Sequence, residues 1–189
     1  MKKIFIITVL LALVLVTAFA LTNDSSVTFK GVKDKFEFLP GSEYSDSDLF
    51  SNFKNVMPGD ELQQTVHVKN GQSKKVKLYM RAEGASEEDI DFLNQLHLTV
   101  TSKEKTIFDA PAGERAQLTE NTLLGYLSSN GEVELTVNLI VPIDMGNEYM
   151  NRIGTVPWTF IVEEIPEIIP DPPIPLGFGL GANEGDCFN

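Results

Sequence analysis

The hydrophobic and polar positions along most of the chain alternate with a period of two. In "ELQQTVHVK", Leu62, Gln64, Val66 and Val68 share one face, and Gln63, Thr65, His67 and Lys69 share the other. "KVKLYMRA" sets Val76, Leu78, Met80 and Ala82 against Lys75, Lys77, Tyr79 and Arg81. Successive side chains of a strand point to opposite faces, so this pattern predicts strands with one dry and one wet face. Between the two runs stands Asn70-Gly71, a pair that tolerates positive φ and predicts an antiparallel hairpin. "QLHLTVTS" and "EVELTVNLIV" place Leu96, Leu98 and Val100, then Val133, Leu135, Val137, Leu139 and Val141, on inward phases. "TVPWTFIVEE" does the same with Val156, Trp158, Phe160 and Val162, and Pro157 predicts an edge position or an irregular entry. A weaker pair of strands is predicted in "SVTFKGVKDKFEF" around Gly31.

Helical signals are short and fall between strands. Ser86 is the expected N-cap of "ASEEDIDFLNQ", with acids in its first turn and Ile90 and Leu93 at helical spacing. "YSDSDLFSNF" and "LTENTLLGYLSS" are each expected to form a turn or two. Several strands with short helical connections, and no βαβ rhythm, predict a mainly β fold built as a sandwich.

The ends of the chain differ from this body. Met1-Lys2-Lys3, an apolar run from Ile4 to Val16, and small residues at Ala18 and Ala20 form a secretory signal peptide. Cleavage is expected after Ala20, which leaves no stable transmembrane segment. After Val162 the composition shifts: Pro166, Pro170, Pro172, Pro173 and Pro175 make up five of the ten prolines. Such spacing favours an extended stalk over helix or sheet. The expected organisation is a signal peptide over 1–20, a sandwich over 21–163 and a Pro-rich flexible tail over 164–189.

Charge narrows the function classes. Signal cleavage would remove two lysines and no acid, taking the formal charge from −12 to −14. That balance argues against nucleic acid as a partner, which requires a basic footprint, and suits an exported chain that repels itself. The single cysteine, Cys187, cannot close an internal disulfide, so the sandwich must hold by its core. Within this acidic chain Lys69, Lys74, Lys75, Lys77 and Arg81 concentrate on the predicted hairpin, a candidate partner-binding stripe for an anionic cell-wall polymer or a neighbouring subunit. Lysines that keep a strand edge from mispairing account for the same pattern.

"DLFSNFKNVMPGDELQQTVHVKN" with "KKVKLYMRAE" resembles the immunoglobulin-like modules of cell-wall-anchored and pilus-associated surface proteins of Gram-positive bacteria. A looser similarity extends to the TasA/camelysin group of matrix-fibre proteins. The resemblance covers roughly residues 26–165 and implies an immunoglobulin-like antiparallel β-sandwich, displayed on the cell surface or in the extracellular matrix. In the shared "MPGD", Pro58 presets φ and Gly59 relieves the turn, a structural explanation that calls for no chemistry. "PIPLGFGLGANEGDCFN" has neither the threonine-glycine pair nor the apolar segment of a sorting signal, so attachment through the usual motif is not expected.

Candidate chemistry is sparse. His67 and His97 fall on outward phases and lie in no H-E-x-x-H pattern, so neither a zinc site nor the protease activity attributed among camelysin relatives is expected. There is no nucleophile elbow and no phosphate-cradling glycine loop. Glu43, Asp46 and Asp48 lie close enough to suggest calcium, but Asp48 as the cap of a following turn explains them too. The pilus resemblance raises an internal Lys30–Asn138 isopeptide bond. The expectation is a non-catalytic surface or matrix structural protein without cofactor, catalytic residue or metal. The alternative is an adhesion module for cell-wall polymer, host ligand or pilus subunit.

Overall fold

The computed structural model describes residues 24–31 and 35–166. The expected signal peptide, with Ala18 and Ala20, and the tail from residue 167 onward, with Cys187, lie outside the described residues. Among the described residues nine strands form two sheets: β1 (Ser25–Phe29), β2 (Phe36–Leu39), β3 (Glu61–Asn70), β4 (Val76–Ala82), β5 (His97–Ser102), β6 (Lys105–Pro111), β7 (Thr122–Leu127), β8 (Glu132–Ile140) and β9 (Trp158–Glu164). The larger sheet runs β2-β1-β3-β8-β5-β6 and the smaller β7-β4-β9. The molecule is therefore mainly β and sandwich-like, with one short helix, α1 (Ile90–Leu93), and 3₁₀ turns at Ser51–Phe53, Ala116–Leu118 and Asn147–Tyr149.

Alternation creates the core. The inward phases of β3, β4, β5 and β8 are buried, and Val66, Leu78, Met80, Val100, Leu135 and Val137 are almost wholly removed from water. Each such side chain stabilises the fold by about 1.5–3 kcal/mol relative to exposure. Phe160 of β9 joins them, while Trp158 and Val162 are only partly covered. β9 lies at the edge of its sheet and begins directly after Pro157, as the missing backbone donor predicts.

Three expectations are corrected. First, β3 and β4 are not a hairpin: β3 pairs with β1 and β8, whereas β4 pairs with β7 and β9 in the other sheet. Asn70 does not turn the chain. It ends β3 with its side chain buried, where its amide donates to the carbonyls of Lys74 (2.8 Å) and Ser128 (2.9 Å) and anchors the crossover. Gly71 is needed for close approach, because a Cβ there would stand 2.8 Å from the Phe29 carbonyl oxygen, the acceptor of the Gly71 N–H. Second, the sandwich is not wholly antiparallel, since β1 and β3 run parallel from Ser25↔Val66 to Phe29↔Asn70. Third, half of "LTENTLLGYLSS" is strand β7, and only its first residue, Leu118, belongs to a helical turn, the 3₁₀ turn at Ala116–Leu118.

A fourth, local expectation shifts: Ser86 is not the N-cap of α1, because the helix starts at Ile90 with Asp89 in the capping position and no side-chain cap bond, and the Ser86 hydroxyl accepts the Asp89 N–H at 3.2 Å in the turn before it. Asp48 accepts the Phe50 N–H at 2.9 Å ahead of the Ser51–Phe53 turn, as expected. Gly59 adopts φ +91°, and its N–H donates to the Val141 carbonyl at 2.9 Å, tying the Pro58-Gly59 turn to the end of β8. β9 continues to Glu164, and the Ile165 N–H still donates to Lys75, so strand pairing outlasts the expected boundary at 163.

Candidate functional site

The basic stripe is divided between the two sheets. Lys69 belongs to β3, Lys74 and Lys75 to the crossover, and Lys77 and Arg81 to the outward phase of β4. Antiparallel pairing brings β9 alongside β4, with Lys77 opposite Glu163 and Val76 opposite Glu164. Ion pairs follow: Lys77–Glu163 at 3.0 Å, Lys74–Glu164 at 2.6 Å, Arg81–Glu83 at 2.7 Å and Lys69–Glu132 at 3.6 Å. Four of the five cations thus face a carboxylate of their own chain. The sequence alone could not reveal those partners, because Glu163 and Glu164 lie more than 80 residues away and meet β4 only through the sheet order.

The glutamates respond to these neighbours. Hydrogen bonds from Lys77 and from the Tyr79 hydroxyl, the latter at 3.0 Å, hold Glu163 below the usual carboxylate range. Thr159, donating at 2.6 Å, and then Arg81 do the same for Glu83. A carboxyl whose folded pKa is depressed contributes stability above its unfolded pKa, and the contribution is lost as pH falls through the folded value. The thermal unfolding midpoint is therefore expected to fall on acidification below the ordinary glutamate range, and Glu163→Gln should make that fall shallower. An equally steep acid limb in the variant would contradict the assignment.

The histidines do not assemble a site. The His67 ring has Asp24 at 3.6 Å from Nε2 and Glu132 at 3.7 Å from Nδ1, so the two carboxylates approach different ring nitrogens. His97 Nε2 meets Asp109 at 2.7 Å. His67 pairs opposite Glu134 and His97 opposite Ile140 on β8, a separation of about 20 Å at the rise of a strand. Among the described residues no group of three or more His, Cys, Asp or Glu is placed to hold a metal ion.

Asp48 is occupied by Lys54 at 2.6 Å as well as by the Phe50 N–H. Burial pushes its pKa up, but the bonds from Lys54, Ser42 and Phe50 outweigh burial and leave it lowered. The geometry also separates Lys30 from Asn138: Lys30 is half exposed and paired with Glu37 at 2.8 Å, and Asn138 accepts from Gln63 at 3.0 Å. β3 lies between their strands, so an isopeptide bond between them is excluded.

The fully buried polar side chains among the described residues are Ser25, Gln64 and Asn70. Gln64 Nε2 donates to the Ser25 hydroxyl and to the Leu49 carbonyl, and its Oε1 accepts the Asn52 N–H at 2.9 Å. These contacts join β1, β3 and the segment before β3. A cleft of about 360 Å³ opens between the edges of β6 and β7, lined by Lys103, Lys105, Ile107, Leu123 and Leu124 among others.

Comparison of the chain with protein families and with curated proteins found no match.

Proposed function

We propose that this chain is an exported, non-catalytic structural protein of the bacterial envelope or extracellular matrix. The observation that carries the proposal is the use made of polar groups. The fully buried side chains of Ser25, Gln64 and Asn70 bond within the fold, while the buried His67 Nδ1 and Trp158 Nε1 have no hydrogen-bond partner, and the cations of the stripe are mostly paired with acids of the same chain. Side chains committed in this way build a rigid module. The immunoglobulin-like assignment is part of the same proposal, supported by two facing sheets and repeated crossings between them, although the parallel β1–β3 pair departs from a wholly antiparallel pattern. The leader-like start and the Pro-rich end fit a module displayed on a stalk.

The test is fractionation of producing cells. The chain should occur in the extracellular and cell-surface fractions with Leu21 as its first residue, and cytoplasmic protein retaining the leader would refute the proposal. The adhesion alternative predicts salt-sensitive retention on isolated cell walls that is abolished by Lys75→Glu with Lys77→Glu. Because Lys77 is already paired, the double change is expected to alter retention by less than about twofold, in line with the small worth of exposed ion pairs. A sedimentation assay with purified walls measures this, and a large loss would favour adhesion.

A further inference from the structure

We infer that the fold carries tension along the chain, with the parallel β1–β3 pair and the β4–β9 pair loaded in shear. β3 runs from Glu61 to Asn70, and β1 runs parallel to it, from Ser25 opposite Val66 to Phe29 opposite Asn70. The crossover after Asn70 enters β4 at the same end of the two sheets, where the Asn70 side chain bonds the carbonyls of Lys74 and Ser128. β4 therefore runs away from that end. β9, antiparallel to β4, returns to it, with Trp158 opposite Ala82 and Glu164 opposite Val76. The first and last strands thus point the same way in different sheets. The chain enters β1 from the side away from the Asn70 end and leaves β9 at the Asn70 end.

Tension between entry and exit drags β1 backwards along β3 and β9 forwards along β4. Hydrogen bonds between strands lie across the strand direction, so sliding one strand along its partner strains the whole ladder together. Lifting a strand from one end breaks the same bonds one after another. Each bond is weak alone, and the direction of loading therefore decides the force. Side chains oppose the slide as well. β1 is pinned by Val27 and Phe29 in the core and by the buried Ser25 hydroxyl, which donates to the Leu49 carbonyl. β9 is pinned by the buried Phe160 and by the Lys77–Glu163 and Lys74–Glu164 ion pairs. At its exit the Ile165 N–H donates to the Lys75 carbonyl at 3.0 Å. A slip of one residue would turn every inward side chain to the wrong face, so no neighbouring register rescues a strand that has begun to slide.

The inference deepens the structural proposal by naming what a displayed module withstands, and it rests on that proposal only for its purpose. Single-molecule pulling at fixed speed tests it, on the chain tagged ahead of Leu21 and held at its other end through Cys187, its one cysteine. A second arm holds Cys187 and the thiol introduced by Lys30→Cys, an exposed position just past β1 at the Asn70 end. Entry and exit of the force then lie at the same end, and the same contacts are peeled instead of sheared. The rupture force should be higher by about twofold or more in the first arm, because forced unfolding is governed by the barrier along the pulling direction. Equal forces in the two arms, or a lower force in the first, would overturn the inference. Should Lys30→Cys fail to fold, Lys35→Cys takes its place with the same expectation, since Lys35 is exposed and its carbonyl accepts the Lys30 N–H at 2.9 Å. Surface location with equal forces would refute this inference alone, whereas a high first-arm force in a chain found in the cytoplasm would refute the location alone.

Discussion

Phe108→Ala is expected to lower the free energy of unfolding by about 3–5 kcal/mol, the range for deleting a fully buried aromatic ring. Phe108 is 0% exposed and lies opposite Val100. The 3₁₀ turn at Ala116–Leu118 packs on β6, and Leu118 is itself completely buried. The hole left by the ring would thus be bounded by a paired strand on one side and a packed turn on the other. Domains of this size are commonly stable by only about 5–15 kcal/mol, so the loss is a large share of the total. Urea unfolding followed by Trp158 fluorescence measures it, because Trp158 packs edge-on against Phe50 at 5.2 Å between ring centres and reports on the closed sandwich. A loss below about 1 kcal/mol would mean that β6 is not part of the cooperative core.

Phe108 also shows where the sequence stopped being informative. β3, β4, β5 and β8 keep alternation, and their inward phases could be read directly; of the inward set expected in β9 only Phe160 is fully buried. β6 and β7 do not alternate. Ile107 and Phe108 are adjacent and both buried, and the β5–β6 register shifts between Val100 and Thr101. Leu123 and Leu124 are likewise adjacent, beside the shift at Leu78/Tyr79. A bulge inserts one residue into the pleat and inverts the phase beyond it, so the period-two signal was interrupted within the two elements it failed to reveal. Asn70-Gly71 misled for a different reason. Local propensity favoured a turn, but burial of the Asn70 side chain among the carbonyls of two connections decided the path.

The candidate site was legible only as composition. The sequence located the stripe of cations, but their state depends on which strands become neighbours, and β9 lies at the far end of the described chain. An outward lysine on one strand and an outward glutamate on another become an ion pair only once the sheet order is fixed. The same limit hid the edge position of β7, since "TLLGYL" becomes an edge only because β7 lies outermost in the smaller sheet.

Gln64→Leu should destabilise the fold by about 2–4 kcal/mol, although it places an apolar residue of similar size at a position 2% exposed. Counting apolar area alone predicts a gain. Hydrogen-bond geometry predicts the reverse, because the Asn52 N–H loses its acceptor at 2.9 Å and the Leu49 carbonyl loses one of its two donors. Ser25 would still donate to Leu49, so the damage should concentrate at Asn52 and loosen the segment that leads into the Pro58-Gly59 turn. Faster exchange of the Asn52 amide than in the parent chain is the local readout. Ser25→Ala combined with Gln64→Leu should cost more than the sum of the two single changes, since either change alone leaves the Leu49 carbonyl one donor and the two together leave it none. Additive losses would show that the two side chains act independently, and an unchanged or raised stability in Gln64→Leu would show that packing, rather than the polar tie, holds β3 to the segment before it.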